Sequence, residues 1–203
     1  MKDIVLNRFT TIEKMLGIVR TEEILMSDPS YWEDRNDALL MELYQAKKHL
    51  AALYAVCFTQ GDETIYHWSA FTQKSEACCI EYFADDVIAE YSAKPGWTAR
   101  AIEYVKINEM KHKVKEIGQI PFVKRYPYRN EDEFRIIFES SVPVKRPSLK
   151  ISRRKIRKIT INQHLPVEIF DMIKKSIELE WAIDVRRSTV VKNDRWIGYM
   201  RRL

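Results

Sequence analysis

Strand-like and helix-like runs interleave along this chain without a repeating strand–helix–strand beat. That irregularity excludes the doubly wound and barrel folds built on parallel strands and predicts an α+β architecture, with a mixed or mostly antiparallel sheet flanked by helices. The clearest strand is Glu133-Phe-Arg-Ile-Ile-Phe-Glu139, rich in β-branched and aromatic residues. Further strands are expected at Glu23–Ser27, Leu53–Phe58, Ala77–Phe83, Thr98–Ile107, Arg157–Ile161 and Ala182–Val185. Helices are expected from the Thr10-Thr-Ile-Glu13 capping box to about Gly17, over Asp37–His49 and Asp85–Tyr91, and, behind Pro166, over Val167–Leu179. A short helical segment bearing Tyr66 and a charged helix ending near Ile117 complete the expectation. At 203 residues the chain suits one domain, 1–203.

Five glycines, with no GxGxxG or GxxxxGKS pattern, speak against Gly-rich phosphate loops. There is no HExxH or HxxxH pairing and no CxxC, so no metal site is expected. Cys57, Cys78 and Cys79 read as buried thiols, the last two pointing to opposite faces of one strand. The first residues carry no secretory signal, and no run of about 18 apolar residues occurs. A cytoplasmic protein without a membrane partner is expected.

Charge is divided unevenly. Residues 1–100 carry 10 Lys and Arg against 16 Asp and Glu, and residues 101–203 carry 24 against 13. Between Lys145 and Lys158 stand eight basic residues and no acid. Lys145, Arg146, Arg153, Arg154, Lys155, Arg157 and Lys158 are therefore candidate contacts for a polyanion, with DNA the expected partner. The competing reading is a solvated segment matched by acids from elsewhere in the fold.

Three clusters are candidates for chemistry. Glu131, Glu133 and Arg135 fall on one face of the clearest strand by alternation, opposite Phe134, Ile136 and Phe138. Paired carboxylates beside a guanidinium suit the stabilisation of an oxocarbenium-like sugar; the bland alternative is a surface ion-pair ladder. Tyr66, His67 and Trp68, with Phe71, offer stacking surfaces and a proton carrier, or simply core. Trp32, Asp34, Asn36 and Asp37 offer a carboxylate site, or simply a helix start.

Several ordered blocks resemble a bacterial and phage-associated family that bears a domain-of-unknown-function label. They are Ile24–Ser27 with Trp32–Asp37, Cys57–Thr59, Trp68, Ala77–Tyr82, Lys124 with Glu131-x-Glu133-x-Arg135, Ile156–Ile161, and Arg187-Ser188 with Trp196. The chain departs from that pattern at Glu76-Ala77, where the family has a glycine before the strand. The layout is similar to ADP-ribosyltransferase-like folds. The resemblance implies Glu133 as the carboxylate nearest the reacting sugar, Glu131 as its hydroxyl-binding companion, and Arg8 as a phosphate holder. By residue type, His67 joins the catalytic candidates, and Tyr66, Trp68, Asp34, Asn36 and Arg135 join the substrate-binding ones.

The expected activity is cleavage of an N-glycosidic bond in DNA, a glycosylase that removes a base and needs no cofactor, with a role in phage defence. The alternatives are an ADP-ribosyltransferase that takes NAD as donor and modifies DNA or protein, and a non-catalytic nucleic-acid-binding module.

Overall fold

A computed structural model describes residues 5–71 and 76–202. In chain order the elements are β1 (Val5–Thr11), α1 (Ile12–Thr21), β2 (Glu23–Leu25), α2 (Arg35–Lys47), β3 (Ala52–Gln60) and α3 (Ile65–Phe71). There follow β4 (Ala77–Phe83), α4 (Ala84–Ser92), β5 (Trp97–Ala101), β6 (Glu103–Val105), α5 (Met110–Lys113), β7 (Val123–Arg125) and β8 (Glu133–Ser140). The last are β9 (Ser148–Lys150), β10 (Ile156–Ile161), α6 (Val167–Trp181), β11 (Val185–Arg187) and α7 (Asp194–Met200).

Seven strands form one sheet in the order β11-β10-β4-β1-β3-β8-β5. Every pairing in it is antiparallel except β10 with β11. The chain is α+β with a mostly antiparallel sheet. Two small sheets, β2-β9 and β6-β7, lie outside it.

Alternation along the central strands sorts their side chains onto two faces. Leu6, Val56, Phe58, Ile80, Ile136 and Ile159 share one face, packed with Met15 and Val19 of α1, Val87 and Tyr91 of α4, and Ile177 of α6. On the other, Leu53, Ala55 and Ile137 meet Met41 and Tyr44 of α2. Phe9, Ala77 and Cys79 meet Trp68 of α3. Neighbouring Cys78 and Cys79 belong to opposite clusters, and all three thiols are unbridged.

Several boundaries differ from the sequence expectation. The cap of α1 is Thr11, one residue later than the capping box suggested, because β1 runs on to that residue. The helix passes through Gly17 and stops at Glu22, whose φ of 58° ends it; burial of Met15, Ile18 and Val19 outweighs the glycine. The expected strand 98–107 divides, β5 joining the large sheet while β6 pairs with β7. The charged helix towards Ile117 shortens to α5. Ala182, expected to open the last strand, is instead the left-handed cap of α6 at φ 55°, and β11 starts at Val185.

Among the described residues no helix is long and apolar enough to cross a membrane.

Candidate active site

The sheet opens in its middle. β1 pairs with β4 over seven positions and β3 with β8 over eight, but β1 and β3 pair only at Leu6↔Gln60 and Asn7↔Thr59. Past that point Ser27 takes the place beside β3 that β1 has left. Its N–H donates to Ala55 O at 2.8 Å and its C=O accepts from Ala55 N at 2.9 Å. The opening that remains holds a cavity of about 350 Å³. Asn7, Arg8 and Phe9 form one wall; Cys57, Phe58 and Thr59 form the other. Arg8 Nη1 reaches across to Cys57 O at 2.7 Å. Gly61, at φ 75°, turns the chain after β3 so that its carbonyl accepts from Asn7 Nδ2 at 2.6 Å.

Beneath the cavity lies a cluster of buried charges. Arg135 has no exposed surface. Its guanidinium forks onto Asp37 (Nη1 3.1 Å, Nη2 2.7 Å), while Nε donates to Glu133 at 2.8 Å and Nη1 to Pro121 O at 2.8 Å. The Trp32 ring stacks on it, 4.8 Å from centroid to guanidinium carbon. Lys124 Nζ lies 2.6 Å from Glu131, 3.3 Å from Glu133, 3.6 Å from Asp37 and 3.9 Å from Asp34. Tyr104 of β6 accepts the Glu133 N–H at 2.8 Å.

Local sequence explains how the two glutamates converge. Residues Tyr126–Glu131 form a 3-10 stretch opened by Pro127, and Asp132 ends it at φ 43°, a conformation Asp tolerates better than most residues. Glu131 therefore lies off the strand and swings to Lys124, rather than taking its place in the pleat. Thr59 Oγ1 donates to the Glu131 carbonyl and fixes that turn against β3.

The carboxyls are pushed in opposite directions. Burial would raise Glu133, but Arg135, Lys124 and the Cys57 thiol overcome it and hold the carboxyl down at about 2. Burial raises Glu131, with Lys124 opposing and Glu133 and Asp37 adding to the rise. Burial also pushes the Cys57 thiol up, so it stays protonated and donates to Glu133.

An acid-stability prediction follows for Glu133. Its folded value of about 2 lies below the ordinary glutamate value of about 4.3. The stability it contributes is complete above about pH 4.3 and is lost as pH falls toward 2. Glu133→Gln is expected to be less stable than wild type at pH 7, with the gap closing between about pH 4.3 and 2 in urea midpoints measured against pH. A gap that stays constant through that window would assign the loss to packing rather than charge.

The structure brings six of the sequence candidates to the cavity wall: Arg8, Trp32, Asp34, Asp37, Glu131 and Glu133, with Arg135 directly bonded to Glu133. Tyr66 is half-buried and close enough to feel the Glu131 and Lys124 charges. His67 is not on the wall. It is buried, with Nδ1 accepting from Thr64 N at 3.3 Å, so the proton is on Nε2, 3.0 Å from Asn130 O. Burial lowers its pKa and keeps it neutral. Trp68 is core, edge-on to Phe9 at 5.2 Å, its Nε1 donating to Glu63 at 2.8 Å. Asn36 is exposed on α2. The Phe71 side chain lies outside the described residues.

The basic segment is partly neutralised. Arg153 pairs with Glu22 (3.1 Å), Lys155 with Glu90 (2.9 Å), and Arg157 and Lys158 with Glu81 (2.7 and 3.1 Å). Arg146 donates to Met26 O, while Lys145 and Arg154 are exposed. The acids come from the N-terminal half because β10 lies against β4 and β9 against β2.

Sequence reasoning did not choose Lys124, Tyr104, Asn7 or Thr59 as site residues. The signal for Lys124 lay in the blocks that carried the family resemblance. Among the described residues no group of three or more His, Cys, Asp or Glu is arranged to hold a metal ion.

The fold and site together describe an α+β protein with an antiparallel sheet parted over a buried-charge pocket. No family model matches the chain, and neither does any curated protein. Among solved structures it is similar to Thermus sp. 2.9 DarT in complex with NAD+, at 9% identity over 93% of this chain and 96% of that one, with a TM-score of 0.45. It is also similar to the same protein in complex with ADP-ribosylated ssDNA, at 9% identity over 93% and 95%, with a TM-score of 0.46.

Proposed function

We propose that this protein transfers ADP-ribose from NAD, used as a donor substrate, to a base in nucleic acid. The observation that carries this reading is the charge state of the pocket. Glu33, Asp34, Asp37, Glu131 and Glu133 stand against Arg8, Lys124 and the underlying Arg135, five carboxylates against three cations. An anionic pocket favours a cationic pyridinium ring and the oxocarbenium character that develops as the ring departs.

Leaving-group chemistry separates this from the base-removing glycosylase that the sequence first suggested. A neutral nucleobase leaves well only if an acid protonates it. Here Glu133 is held ionised, Glu131 is paired to an ammonium, and His67 is neutral behind the wall. The nicotinamide of NAD needs no such acid. The bond from C1′ to the ring nitrogen breaks, its electron pair neutralises the pyridinium, and the acceptor nitrogen or oxygen bonds to C1′. The acceptor proton then passes to a base. Glu131 suits that role: Oε2 is held by Lys124, Oε1 makes no hydrogen bond among the described residues, and its pKa is raised. Glu133 provides fixed negative charge below the reacting sugar.

A polymeric acceptor is supported by the cationic half of the chain. Lys145 and Arg154 are exposed, and on α7 Trp196 and Tyr199 are exposed, with Arg195 and Arg202 over the Tyr199 ring.

Incubation with NAD and single- or double-stranded DNA or RNA tests the reading. The expected result is nicotinamide release, with ADP-ribose mass added to one of these polymers. Alkali-labile abasic sites formed without NAD would return the glycosylase. Neither product would remove both.

A further inference from the structure

We infer that His67 is a positioning residue: from behind the cavity wall it pins the turn that presents Glu131, so that α3 sets the reach of the base. The inference rests on the transfer reading, in which Glu131 takes the acceptor proton.

Glu131 lies just outside the strand ladder. β3 and β8 first pair at Thr59↔Glu133, two residues beyond it. Its main chain is therefore not held by the ladder, and Lys124 holds only the far end of its side chain, at 2.6 Å. The turn is fixed instead by side chains that reach two consecutive peptide groups. His67 Nε2 donates to Asn130 O at 3.0 Å, and Thr59 Oγ1 donates to Glu131 O. The two donors lie 3.3 Å apart, so α3 and β3 grip the turn at one point. One residue further on, Gln60 N donates to Asp132 O at 2.7 Å and rejoins the turn to β3.

Histidine fits this position because its neutral ring offers an acceptor and a donor at opposite ends. Nδ1 accepts from Thr64 N at 3.3 Å, and the Thr64 hydroxyl accepts from His67 N at 3.3 Å, which fastens the ring to the start of its own helix. The other nitrogen is then aimed across at Asn130. His67 is 2% exposed, so water cannot replace a lost donor. A base shifted by about 1 Å can lose about 100-fold in rate.

Two substitutions separate the pin from an ordinary packing role. Asn places an oxygen near the Nδ1 position and keeps the Thr64 bond but cannot reach Asn130; Gln carries an amide donor near the Nε2 position. His67→Asn is expected to lower the single-turnover rate of ADP-ribose transfer by about 10-fold, with NAD affinity within about 2-fold, and His67→Gln to recover most of it. In a Glu131→Gln background His67→Asn is expected to cost nothing further, because its effect passes through Glu131. Amide hydrogen exchange reads the pin without any transfer chemistry. It is expected to be about 2- to 10-fold faster across residues 126–132 in His67→Asn and unchanged in α6. Thr59→Val removes the second grip and is expected to show the same split between rate and affinity, which serves if His67→Asn does not fold. Unchanged exchange and rate in His67→Asn, a His67→Gln as impaired as His67→Asn, or losses that add fully in the Glu131→Gln background would overturn the pin. Faster exchange in a protein that transfers no ADP-ribose would leave the pin standing and remove the proposed activity instead.

Discussion

Replacing Arg135 with methionine is expected to destabilise the fold by about 3–5 kcal/mol, seen as a lowered denaturation midpoint in urea. The size follows from what the guanidinium leaves behind. Asp37 and Glu133 are both buried, and each is bonded to it directly. Without it Lys124 must serve four carboxylates alone, two of them beyond hydrogen-bond distance at 3.6 and 3.9 Å. Pro121 O loses a donor and Trp32 its stacking partner. Arg135→Lys restores the charge but not the fork, so it is expected to recover only part of the loss. Adding Asp37→Asn to Arg135→Met removes one stranded charge and is expected to regain stability relative to the single variant. Such non-additivity marks residues that act as a unit. A loss below about 1 kcal/mol would mean that water, rather than Arg135, satisfies the carboxylates.

The second large effect is on rate. Glu131→Gln keeps the size of the side chain and an oxygen for Lys124 but cannot accept a proton. Transfer of ADP-ribose is expected to fall by about 10²–10⁴-fold, the usual contribution of a positioned base, while affinity for NAD stays within a few-fold. Wild-type rate is expected to rise with pH through the Glu131 value, which burial places above that of an ordinary glutamate. Only the ionised form accepts the proton, so activity is lost on the acid side. Single-turnover rates against pH check both statements. If Glu131→Gln retains wild-type rate, the proton goes elsewhere, and Glu131 merely positions Lys124.

What could be read in the sequence was local. The Glu133–Glu139 strand and the shared face of Glu133 and Arg135 follow from residue type and short spacing, and both are present; Glu131, expected on that face by alternation, lies off the strand and meets Glu133 only through Lys124. The depth of that cluster was not legible, because it depends on Lys124, carried in by the pairing of β7 with β6, and on Asp37 from α2. The opening in the sheet is a property of strand order, which no window of sequence contains. The acidic partners of the basic run were hidden for a related reason: Glu22, Glu81 and Glu90 are distant from it in sequence but adjacent in the fold. His67 has the composition of a catalytic histidine and the contacts of a structural one. Its neighbours Thr64 and Asn130, far from it in chemistry or in sequence, hold both ring nitrogens.

The ladder between β1 and β3 is two residue pairs long, although each strand is fully zipped to its outer neighbour. That makes the junction a seam between two stiffer leaves, crossed by the Arg8 side chain and plugged at one end by Ser27. A molecule lodged in the gap touches both leaves at once and acts as a clasp. Its affinity is thereby coupled to the mechanical integrity of the whole sheet, and heat tolerance would register occupancy even where no reaction takes place.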